Sequence, residues 1–351
     1  MIKTGHGIAG CMYSLTVPNG PNPCAAHVQM REDGSVNIQT GACDIGQGSN
    51  TALCMMAAEF LGVPLENVSI YQADTAATPY DFGTLSSRLT YTAGRAVLAA
   101  CEQVRDVLFE CAAKELRTRE NRLYLEDGFI IDRYDTNKRL PIAAAAAISQ
   151  FGHRKLPMGA ANFYPFNVPI DGEGQGEPSD ALYYHATAAE VEIDTETGVV
   201  DVKKLYAAVD CGFAINPMVV SGQQDGGALQ GMGFGLREDM YPYSACAEGL
   251  PEDFDPDYRT LNYSDYAIAT TIDAPDELIG TYIETHEPEG PFGAKAAGEI
   301  CQNSTAPAIM SAIHDAVGIW ITDLPATPEK ILKKLKEKKE KEERGVAPDA
   351  E

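Results

Sequence analysis

The chemistry-bearing residues of this chain gather at Gly290-Pro291-Phe292-Gly293-Ala294-Lys295-Ala296-Ala297-Gly298-Glu299, directly before an apolar, helix-like run from Ile300 to Ile319. Small residues there let backbone approach a large rigid ligand closely, and glycine opens φ/ψ values closed to other residues. A carboxylate at the end of such a stretch is held by backbone, and burial under a ligand raises its pKa toward that of a general base. The plainer alternative is a Gly-rich turn whose Glu299 faces the positive end of a helix dipole. Three more glycine-flanked polar segments exist: Gly46-Gln47-Gly48, Ser86-Ser87-Arg88 and Gly222-Gln223. Each precedes or opens a helical pattern, where backbone N–H groups, amides and hydroxyls suit phosphates and fused heterocycles. Singly each reads as a cap or turn. Together they read as contacts to one large ligand rich in nitrogen and oxygen.

Other chemistries lack their residues. No Gly-x-x-x-x-Gly-Lys-Ser/Thr, no Gly-x-Gly-x-x-Gly after a strand, no His-Glu-x-x-His and no Gly-x-Ser-x-Gly occurs. The glycines Gly226, Gly227, Gly231, Gly233 and Gly235 fall inside an apolar helical pattern and signal close packing. His185 and His314 are isolated and read as hydrogen-bonded structural residues. The nine cysteines, Cys11 to Cys301, include no Cys-x-x-Cys pair, so neither structural zinc nor an iron–sulfur cluster is expected here. With no targeting segment at the start, they point to a reducing cytoplasm. A net charge of −24 argues against nucleic acid or an anionic membrane as partner. No apolar run approaches the roughly 20 residues of a membrane span.

The elements that must position these residues follow from periodicity. Val28 to Thr40 alternates as a hairpin about Glu32-Asp33-Gly34. Ala52–Leu61 is helical and stops at Gly62, and Val68–Gln72 is a strand. An Ala-rich helix spans about Ala93–Leu116, a strand pair turns at Asp127-Gly128, and Ala143–Ile148 is helical. Residues 5–23 and 151–180 show little periodicity. Ala188–Ile193 and Val199–Val209 form a second hairpin, Val219–Gly235 a helix, and 241–290 a loop-rich region. The expectation is an α+β fold of two strand-then-helix halves, 1–155 and 156–335, with a charged, disordered tail at 336–351.

In this order and spacing the segments resemble the molybdenum hydroxylases, the xanthine dehydrogenase / aldehyde oxidoreductase family. The similarity, to the second half of their molybdopterin-binding subunit, runs from about Gly5 to Leu332. It is carried by Asp33-Gly34-Ser35-Val36, Gly41 to Thr51, Gly83-Thr84-Leu85-Ser86-Ser87-Arg88, Asp210-Cys211-Gly212 with Asn216-Pro217, and Gly222-Gln223 with Gly226-Gly227 and Gln230-Gly231. Gly290 to Glu299 and Leu324-Pro325-Ala326-Thr327-Pro328 complete it. The resemblance implies a molybdopterin cofactor, as the cytosine dinucleotide in bacterial members, with no protein ligand to molybdenum. It implies Glu299 as catalytic base and Gly46, Gln47, Gly48, Ser86, Ser87, Arg88, Gln223 and Gly298 as cofactor-binding residues. Met12 to Asn22 corresponds to a stretch lining the substrate pocket, with Tyr13 the residue to stack on a flat ring.

The family's first half, with its Gly-Gly-x-Phe-Gly loop, is absent. A second molybdopterin-binding subunit is therefore expected to complete the site, with partner chains carrying [2Fe–2S] clusters and FAD. A split at this position resembles members of the nicotinate dehydrogenase type, which implies hydroxylation of an N-heteroaromatic ring. Purine or xanthine dehydrogenation, aldehyde oxidation and aromatic-CoA reduction are alternatives on the same scaffold. A non-catalytic scaffold is the alternative from another class, disfavoured by the presence of Glu299 and both Gln segments.

Overall fold

In chain order the strands of the computed structural model are β1 (Ile2–Ser14), β2 (Cys24–Met30), β3 (Val36–Thr40), β4 (Val68–Gln72), β5 (Leu123–Glu126), β6 (Phe129–Asp132), β7 (Asp135–Pro141), β8 (Met158–Phe163), β9 (Leu182–Asp194), β10 (Val200–Asp210) and β11 (Glu277–Ile283). The helices are α1 (Ser49–Leu61), α2 (Leu89–Glu115), α3 (Ile142–Ala147), α4 (Pro217–Leu236), α5 (Ile300–Asn303), α6 (Thr305–Val317) and α7 (Pro328–Glu343). The structure describes residues 1–17, 20–239, 263–264 and 266–344; Cys246 and much of the loop-rich region fall outside them. Among the described residues no helix is long and apolar enough to cross a membrane.

Two mixed sheets carry the fold, which is α+β as expected. The first has the order β4-β3-β2-β8. Its β2–β3 hairpin pairs Val28 with Ile38, and its alternating inward residues are buried against α1 and α2. Each end of α1 is a left-handed glycine, Gly48 and Gly62, where a Cβ would be strained. The helix returns the chain to a parallel β4. The second sheet has the order β1-β9-β10-β11, and here α4 carries the chain from β10 to a parallel β11. Each half thus contains one parallel crossover within otherwise antiparallel pairing, and a small β5-β6-β7 meander lies beside the first sheet.

Each unperiodic stretch contains a strand. Residues 2–14 pair with β9 along their full length, from Ile2↔Asp194 to Ser14↔Leu182. The alternation is obscured because Gly5 and Gly7 sit where α6 lies on the sheet. A Cβ on either would stand 2.2 Å from a carbonyl oxygen, of Ala312 and Ala308 respectively. β8 joins β2 on the first sheet. The chain therefore crosses a division at residue 155 twice, with β1 on the second sheet and β8 on the first. The apolar run from Ile300 breaks at Ser304 into α5 and α6. The charged tail is helical as far as Glu343, with Thr327 capping Lys330, Ile331 buried and Leu335 packed on the second core. Residues 336–343 are therefore ordered helix where a disordered tail was expected; 345–351 lie outside the described residues.

Candidate active site

Glu299 is the residue before α5, and three contacts fix it. Its Oε2 accepts the Tyr13 hydroxyl at 2.6 Å, its Oε1 accepts the Ser86 N–H at 3.1 Å, and its own N–H donates to Ser87 Oγ at 2.8 Å. Ser86 and Ser87 are consecutive left-handed residues, φ 52° and 53°. For non-glycine residues that conformation is strained, and such strain concentrates at functional sites. Here it turns one serine N–H and the next serine hydroxyl toward the same glutamate. Burial and then the bond to Glu299 raise the Tyr13 pKa, so the phenol stays a donor at neutral pH.

The carboxylate stands at a cavity of about 540 Å³ lined by residues from both halves of the chain. Gly46, Gln47, Gly48, Ser87, Gln223 and Gly298 all line it, so the segments picked out by type converge in space. Gln47 stiffens its own loop, accepting from Ile45 N at 2.7 Å and donating to Ser49 Oγ at 3.0 Å. Asp44 gathers the same loop, taking N–H bonds from Gly46, Gly48 and Asn50. Burial alone would raise its pKa, but those three donors outweigh it and hold the carboxyl below its usual range. Gly298 has no room for a side chain: a Cβ would lie 2.7 Å from Ser87 Oγ.

Lys295, which also lines the cavity, is 5% exposed and bonds Asp210 at 2.6 Å. Asp210 accepts further N–H bonds from Gly212 and Thr285. The Asp-Cys-Gly segment thus anchors the glycine hinge: Gly212 bridges Ala294, and a Cβ there would sit 2.3 Å from Gly293 O. Cys211 and Cys301 are raised by burial to about 11 and about 12, so both remain thiols.

Two expected residues have different surroundings from those foreseen. The Arg88 guanidinium is fully buried and spent on Asp81, Gly83 O, Asn22 O and Pro23 O. It anchors the strained serine loop from behind; Arg88 still lines the cavity, and its buried Nε has no hydrogen-bond partner. Tyr13 reaches the site through its hydroxyl, and its ring stands edge-on to Tyr183 with centroids 5.9 Å apart. Residues that line the cavity without having been expected to bind the cofactor include Ile45, Thr84, Phe213, Asn216 and Gln302. Thr84 carried a signal, its place in the Gly-Thr segment; it donates to Cys43 O at 2.7 Å and ties the two loops together. Among the described residues, no group of three or more His, Cys, Asp or Glu side chains could hold a metal ion.

The family model described as a molybdopterin cofactor-binding domain matches residues 1–275. The nicotine 6-hydroxylase large subunit of Paenarthrobacter nicotinovorans is 34% identical over 314 residues, 89% of this chain and 36% of that protein. The xanthine dehydrogenase molybdenum-binding subunit of Escherichia coli O157:H7 is 29% identical over 340 residues, 95% of this chain and 42% of that protein. Quinoline 2-oxidoreductase from Pseudomonas putida 86 superimposes with a TM-score of 0.83 at 28% identity, over 96% of this chain and 42% of that one. The chain thus spans well under half the length of the relatives it matches. The matched domain, the relatives and the converging glycine segments agree: this chain belongs to the molybdenum hydroxylase family and forms part of its molybdopterin-binding region.

Proposed function

We propose that this chain is the Glu299-bearing part of a multi-subunit molybdenum hydroxylase that inserts a water-derived hydroxyl into an N-heteroaromatic, nicotinate-type ring. The observation that carries the reading is a carboxylate held from three sides at the rim of a glycine-lined cavity. The cavity suits a pterin. Gly46 and Gly226 face open space where a Cβ would project into the cradle, and the Gln223 amide has no hydrogen-bond partner among the described residues. A volume of 540 Å³ is that of a cofactor-sized site. Backbone of 46–48, Ser87, Gln223 and Gly298 would hold the group, as the cytosine dinucleotide. When bound, it supplies the two-electron redox chemistry.

The rest of the work falls to protein groups. Glu299 takes up a proton at Oε1 or Oε2, while Tyr13 and Ser86 keep the carboxylate in place as its charge changes. Lys295 and Asp210 hold the hinge that delivers it. Glu299 is exposed in this chain alone, and an exposed base is a poor one because water competes for its proton. In the proposed complex a second molybdopterin-binding subunit covers the rim, and partner chains with [2Fe–2S] and FAD take the electrons onward. The ring class follows two relatives, nicotine 6-hydroxylase and quinoline 2-oxidoreductase. The xanthine dehydrogenase relative keeps a purine as the second reading.

The test is purification of the native complex, metal analysis, and turnover with pyridine, quinoline, purine and aldehyde substrates. Glu299→Gln should retain molybdenum and lose about 10³-fold in turnover, within the range for a general base. Undiminished turnover in that variant removes the assignment.

A further inference from the structure

Behind Glu299 lies a buried polar chain that none of the steps above uses. His185 of β9 is 3% exposed. Its Nδ1 is 2.6 Å from Ser304 Oγ, and its Nε2 is 2.8 Å from the amide nitrogen of Gln224 on α4. Ser304 Oγ is in turn 2.7 Å from Thr187 Oγ1, itself 3.4 Å from Thr305 Oγ1. The Gln224 amide oxygen faces the Cys301 thiol at 3.6 Å.

The Gln224 amide sets the tautomer of the ring. An amide nitrogen only donates, so His185 Nε2 accepts and the ring proton sits on Nδ1, where it donates to Ser304. Between Ser304 and Thr187 either hydroxyl can donate. Burial lowers the His185 pKa to about 4, so the imidazole is neutral at physiological pH.

The position of Ser304 gives the chain its leverage. It is the break between α5 and α6, with φ −88° and ψ −9°, and Glu299 stands at the other end of α5. Only the four residues of α5 separate them, a rise of about 7 Å along one stiff turn. A shift at Ser304 therefore arrives at Glu299 as a rigid-body displacement, with no loop between to absorb it.

We propose that the His185–Ser304 hydrogen bond is a latch that sets the placement of α5 and thereby of the Glu299 carboxylate at the cavity rim. His185 is in this sense a positioning residue, and the proposal rests on Glu299 being the base.

Two substitutions in the purified complex separate the arms of the latch. His185→Asn keeps an amide N–H where Nδ1 was and loses the bond to Gln224; His185→Gln keeps the Gln224 contact and loses Ser304. His185→Gln should lower kcat about 10²-fold with KM nearly unchanged, as expected for a base misplaced by about an ångström, whereas His185→Asn should stay within about 3-fold. Hydrogen exchange of residues 299–303 should quicken about tenfold in His185→Gln with α6 unchanged, and Ser304→Ala should reproduce it. Molybdenum content should be equal in all three variants. Combined with Glu299→Gln, His185→Gln should cost no further turnover.

Equal losses in the Asn and Gln variants, losses that follow the melting temperature, or unchanged exchange in 299–303 would overturn the latch. The exchange result stands whether or not Glu299 is the base. Intact turnover in Glu299→Gln alone would remove the functional reading and leave the latch to be decided by exchange.

Discussion

Around Glu299, single atoms decide the geometry. The Ser87 hydroxyl accepts the glutamate N–H and sits 2.7 Å from where a Gly298 Cβ would be. Gly298→Ala should push Ser87 aside and lower turnover at least about tenfold with little change in KM, measured on the complex. Lys295 and Asp210, 5% and 9% exposed, form a pair whose value lies in neither charge being left alone. Lys295→Met strands a buried carboxylate with only two backbone donors. The expected cost is about 3–5 kcal/mol in denaturant unfolding. The sequence marks Lys295 as unusual among small residues, but the pairing spans 85 positions and no local pattern announces it. Arg88 shows the same limit. An arginine beside two serines reads as an anion binder, and only packing turns it toward Asp81.

At the scale of elements, turns and caps behave as their residues require, and strained segments do not. Gly48 and Gly62 bound α1, Asn216 caps α4 and Thr327 caps α7, all visible in the residue types. Ser86 and Ser87 instead adopt a conformation that glycine would prefer, because the buried Arg88 and the Glu299 contacts hold the loop there. Ser86→Gly should leave the N–H bond to Glu299 intact and stabilise the fold by up to about 1 kcal/mol, whereas Ser86→Val should destabilise it by a similar amount. Thermal unfolding of the two variants checks the sign. The break at Ser304 was also hidden: an apolar run reads as one helix until His185 and Thr187 capture the serine hydroxyl.

For the whole molecule, the buried imidazole makes stability depend on pH. In the unfolded chain His185 titrates near 6.5, and in the fold near 4. Between those values the unfolded chain binds a proton that the folded chain does not. Stability is therefore full above about pH 6.5 and falls as pH drops toward 4, by up to roughly 3 kcal/mol. Carboxylates such as Asp273, held near 2 by Arg237, lose their contribution only at lower pH. Urea midpoints at pH 7.5, 5.5 and 4.5 should show this slope, and His185→Asn should flatten it.

The amino-acid order alone determines the α+β class, both hairpins, most helices and the four polar segments of the cavity. Each of these depends on neighbours within a few positions: alternation, helical spacing, and the backbone freedom of glycine. Tertiary structure decides what those residues meet. It lays β1 along β9, nearly two hundred positions away, because two glycines let α6 rest on the sheet. It gives Tyr13 to Glu299 across 286 positions and buries Lys295 on Asp210. Strand register and the partners of buried polar groups are set by burial and by the need to satisfy every donor in a dry interior. Neither condition exists until the chain has closed on itself.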